Sequence, residues 1–104
     1  LNVNDHLLVC LAEEAGEVTQ AATKALRFGL TDRPFKVPTT NAERILCEVH
    51  DLLAVYEMLQ ERGLIQGMGI NRALIEAKKR KVLAMMDHAR DQNALEPQSE
   101  EAVS

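Results

Sequence analysis

The chain has 104 residues and a formal net charge of −4, which is enough for one domain around a small core and too short for two. Its apolar residues are chiefly Leu, Ala, Val, Ile and Met, with no Trp, one Tyr and two Phe, a mixture that favours helices over sheets. With no basic excess, no nucleic-acid partner is expected; no apolar run reaches the roughly 18 residues that span a bilayer; and Cys10 and Cys47 read as buried, reduced thiols of a cytoplasmic protein.

The first predicted helix starts at Asn4 or Asp5, good N-cap residues, and runs to about Phe28, with apolar positions at Leu7, Leu11, Ala15, Val18, Ala22 and Ala25. Gly29 stops it. The stretch Leu30 to Thr40 holds Pro34 and Pro38 without periodicity and reads as a loop. A second helix opens at Thr40 or Asn41, where Thr40 and Glu43 have capping-box spacing, and continues through Ile45, Val49, Leu52, Tyr56 and Leu59 to Gly63. Gly63 to Ile70 is a turn or lid, and Asn71 caps a third helix that runs to about Ala89.

The expected fold is therefore all-α, a bundle of three to four helices per protomer over residues 1–92, followed by a disordered acidic tail at 93–104. Its apolar stripes are wider than one small subunit covers, so a homodimer or homotetramer is expected. Met58, Met68, Met85 and Met86 read as gap-filling core.

The acids carry the chemistry. Glu13, Glu14 and Glu17 form E-E-x-x-E on the first helix, and Glu48 and Asp51 form E-x-x-D on the second. Residues three apart share a helix face, so Glu14 with Glu17 and Glu48 with Asp51 each project two carboxylates one way. Antiparallel helices would bring the pairs face to face, where they repel unless a cation intervenes. Four positions on stand Val18, Ala21, Leu52 and Val55, so the basic partners of an ordinary solvated face are missing; only Arg44, four before Glu48, offers a local ion pair. An all-oxygen donor set suits Mg²⁺, or Mn²⁺ in its place, and the lack of Glu-x-x-His argues against di-iron chemistry. The competing reading is that these acids merely solvate exposed faces.

Three segments, LAEEAGEVTQAATKALRFG, a loop ending in TTNAERI, and CEVHDLLAVYEML, together resemble the all-α NTP pyrophosphatase superfamily, specifically the short MazG-like proteins of phages and bacteria. The resemblance extends from about Leu7 to Lys81. It implies hydrolysis of an ordinary or modified (d)NTP to NMP and pyrophosphate, controlling or sanitising the nucleotide pool. It also implies two or more Mg²⁺ ions on Glu14, Glu17, Glu48 and Asp51. Glu13 is either a supporting or base residue or a surface acid. Phosphate contacts are expected from Lys24, two turns beyond Glu17, from Arg27, and from Lys78 and Lys81 of the third helix, while Asn41 is placed to reach a base or sugar or to cap its helix. Two other readings stay open: a dUTP/dUDP-type or phosphoribosyl-ATP hydrolase of the same fold, and a noncatalytic helical interaction module.

Overall fold

Asn2 starts the first helix, because its side-chain oxygen accepts the backbone N–H of Asp5 at 2.8 Å. The computed structural model describes residues 1–98, and this helix, α1, covers Val3–Phe28. It begins slightly earlier than expected, since Asn2 does the capping that was assigned to Asn4 or Asp5. Gly29, at φ 96°, ends it with its N–H on the Ala25 carbonyl at 2.8 Å.

The second helix, α2, covers Asn41–Glu61 and carries the predicted capping box: Thr40 Oγ1 accepts the Glu43 N–H at 3.1 Å, and the Glu43 carboxylate reaches back to Thr40. After Gly63, at φ 75°, the chain folds back on α2 through Gln60, whose amide donates to the Gly69 carbonyl and to the Tyr56 hydroxyl. The third helix, α3, covers Arg72–Asp91 and is capped by Asn71. Among the described residues these three helices and a short 3₁₀ turn at Pro34–Lys36 are the whole of the regular structure, with no strand, and no helix is long and apolar enough to cross a membrane.

The chain divides after Gly69 into two units. The first holds α1 and α2, which run antiparallel: Arg62 at the end of α2 donates to the Asn4 side chain near the start of α1, and at the other end Asn41 donates to the Gly29 carbonyl. Its buried apolar residues are Leu7, Ala21, Ala25 and Leu59. The two alanines, one turn apart, let the helices approach closely along the half of α1 that faces the start of α2. The second unit, from Ile70 onward, holds α3. Residues 93–98 follow it without helix, and the rest of the expected tail, 99–104, lies outside the described residues.

Two expectations about side chains are corrected. Met58, Met68 and Met85 are exposed rather than core, and Cys47 is exposed while Cys10 is half-buried, both as free thiols. Both differences share a cause: a chain with so few buried apolar residues covers only a narrow strip of each helix.

Candidate functional site

Antiparallel pairing sets the register of the acids. Glu14 faces the turn of α2 that bears Glu48 and Asp51, and the carboxylates of these three can place oxygens within 4.8 Å of one another. Glu48 is buried, Glu14 half-buried and Asp51 exposed. A buried glutamate between two others is not surface decoration, because an ionised carboxylate taken from water needs a compensating charge. Arg44, one turn earlier on α2, supplies part of it through a 3.0 Å ion pair with Glu48. Glu14 and Asp51 have no ion-pair partner among the described residues. Partial loss of hydration, followed by the negative charges of Asp51, Glu48, Glu17 and Glu13, holds the Glu14 carboxyl above its ordinary value.

Glu17 stands apart from this trio. It lies one turn further along α1, toward the start of α2, where it borders a narrow crevice together with Gln20, Lys24, Arg44 and Glu48. Glu48 thus belongs to both groupings, with acids on one side and two cations on the other. Glu13 is exposed and outside the trio.

The remaining predicted residues are placed as follows. Lys24 lines the crevice and is exposed. Arg27 lies over the Phe28 ring at 4.8 Å. Asn41 is buried, its side-chain amide held by the Gly29 carbonyl at 2.8 Å and its backbone N–H by the Asp32 carbonyl; it fastens the loop to α2, while Thr40 does the capping. Lys78 and Lys81 are exposed on α3, in the second unit. Neither has an ion pair among the described residues, whereas Lys79 is paired with Glu76 at 3.4 Å. His50, between Glu48 and Asp51 in sequence, turns away and contacts the Leu46 carbonyl through Nδ1 at 2.7 Å.

No family model, curated protein or solved structure matches the chain. The reading of the site therefore rests on its own chemistry. The donor set fits a hard divalent cation: three carboxylates converge from two rigid helices, oxygen is the only donor type, and Arg44 answers only one of the three charges. Arg44 is the residue that spacing undersold. Its position four before Glu48 marks it as an ion-pair partner, but its place on the border between acids and cations emerges only when α1 is packed against α2.

Proposed function

We propose that the chain is a magnesium-dependent nucleoside triphosphate pyrophosphohydrolase of the all-α NTP pyrophosphatase superfamily, converting a (d)NTP to the monophosphate and pyrophosphate. The observation that carries the reading is the convergence of Glu14, Glu48 and Asp51 across the α1–α2 seam. These three would hold a Mg²⁺ or Mn²⁺ ion, and Glu17 beside Glu48 offers a fourth carboxylate for a second. Bound there, such ions supply charge neutralisation for the triphosphate, a more acidic water and stabilisation of the departing pyrophosphate. The chain's own groups orient the substrate. Lys24, which has no ion pair among the described residues, stands at the cationic border of the acids and would suit phosphate oxygens.

The proposal includes self-association as a homodimer or homotetramer, supported by the exposed Leu8, Leu46, Leu74 and Leu83. The test of the function is product analysis after incubation with Mg²⁺ and a panel of ordinary and modified dNTPs. Equimolar monophosphate and pyrophosphate are expected, abolished by a chelator and by Asp51→Ala. Orthophosphate as the product, or turnover that survives Asp51→Ala, would overturn it.

A further inference from the structure

On the far side of the crevice, the segment 34–41 and the C-terminal half of α1 enclose a second hollow of about 410 Å³. Pro34, Phe35, Val37 and Pro38 supply its apolar lining, and Lys24 and Arg44 its cations. Those same two cations line the crevice that contains Glu17 and Glu48. An apolar cleft, a pair of cations and a group of carboxylates therefore follow one another along a single seam of the first unit. A nucleoside polyphosphate has matching parts in the same order: a flat uncharged base, a sugar, and a polyanion that travels with divalent metal. The cleft's volume lies within the range of small-molecule sites and accommodates a nucleoside.

Phe35 stands out in that lining. It is 89% exposed, and its backbone sits at φ 58° with Lys36 next to it at φ 59°, two successive left-handed residues that are not glycine. Such conformations are costly and concentrate at functional sites. The fold does not use the ring for its core, yet holds it beside a cleft.

We infer that, given the nucleotide-hydrolase reading above, this cleft receives the nucleoside end of the substrate, with Phe35 stacking on the base and Lys24 and Arg44 gripping the phosphates beside the carboxylates. Arg44 has two roles in sequence. In the free chain it balances Glu48, and it turns to the phosphates once a divalent cation takes over that charge.

The experiment is calorimetric binding, in Mg²⁺, of α,β-imido dNTPs, which resist hydrolysis at that bond, compared with inorganic tripolyphosphate, which has no base. At least one imido nucleotide should bind tenfold or more tighter than tripolyphosphate. Phe35→Ala should erase about tenfold of that preference, the order of one stacking contact, without weakening tripolyphosphate, and Phe35→Trp should restore it. Arg44→Gln should weaken nucleotide and tripolyphosphate alike by about tenfold, while Mn²⁺ binding measured without nucleotide holds or tightens because a competing cation has gone. Phe35 is exposed, so its replacement leaves the fold intact, which circular dichroism checks. Asp51-dependent Mn²⁺ binding with a base preference unaffected by Phe35→Ala would overturn the cleft alone. Mn²⁺ binding indifferent to Asp51→Ala would remove the hydrolase reading and the cleft with it.

Discussion

Two neighbouring stretches of the α1–α2 seam differ in charge and in how they treat it. Around Glu14, Glu48 and Asp51, acids are gathered with one basic partner between them, and a carboxyl is pushed toward its protonated form. A turn or two away, around Lys24, Phe35 and Arg44, cations border an apolar hollow. One i,i+4 pair, Arg44 with Glu48 at 3.0 Å, joins the two groups, as Arg72 and Glu76 are joined at 2.9 Å on α3, while Glu14 and Asp51 have no basic partner among the described residues. Leaving those acids unpaired costs stability, and the charge changes sign along the seam, as the proposed metal-bearing polyanion would require.

The comparison breaks most sharply at the acidic end. On the proposed function, Asp51→Ala or Glu48→Ala should reduce pyrophosphate release at least a hundredfold, as expected for losing a ligand of the proposed metal, with helical circular dichroism unchanged. At the cationic end, Lys24→Ala should raise KM for a triphosphate about tenfold, the effect of losing one charge-assisted contact of roughly 1.5–3 kcal/mol. Its Mn²⁺ affinity without nucleotide should be unaltered. Unchanged KM and kcat would return Lys24 to the solvated surface.

Two smaller effects sharpen the contrast. Divalent cation at a hundredfold excess over its Kd should stabilise the parent protein by about 2.7 kcal/mol, read as a rise in Tm that Asp51→Ala abolishes. The pH dependence of the metal-free protein follows from Glu14. Its folded carboxyl binds a proton more tightly than the unfolded one, with its ordinary value of 4.5. Its contribution is therefore most favourable below that pH and is progressively lost as pH rises through the raised folded value. Glu14→Gln should flatten that decline in chelator and give a higher Tm at neutral pH than the parent. A parent Tm that climbs with pH as steeply as the variant's would contradict the crowding of acids.

Helix positions were legible because caps and stops are written locally: Asn71, Gly29, and Thr40 with Glu43 each act through groups no more than four residues away. The acid-bearing faces were legible for the same reason, since i,i+3 spacing fixes direction. What spacing did not reveal is how the acids divide between neighbours. Glu14 and Glu17 share a face, but a rise of about 4.5 Å separates them along α1, and in an antiparallel pair that shift moves Glu17 from Asp51 toward Arg44. The cleft was illegible for a different reason. Phe35 and Lys36 adopt left-handed backbone without glycine, a choice made by the surrounding segment rather than by the residues themselves. The exposure of Met58, Met68 and Met85 likewise depends on what lies beyond a helix, which a hydropathy pattern does not state.

The capping box at the start of α2 has a consequence for ionic strength. A helix N-terminus is ordinarily a ready receptor for phosphate, through free amides and the positive end of the dipole. Here Thr40 and Glu43 already occupy that end, and Glu43 adds a carboxylate that Arg33 approaches at 4.0 Å. A polyanion arriving as the proposed substrate finds that backbone receptor taken and, apart from the proposed metal ions, is left to flexible, hydrated side chains such as Lys24. Attraction of that kind is screened within about 8 Å at physiological salt, so capture of a nucleotide by this protein should weaken steeply as salt is raised, far more than it would for a loop that cradles phosphate with its own amides.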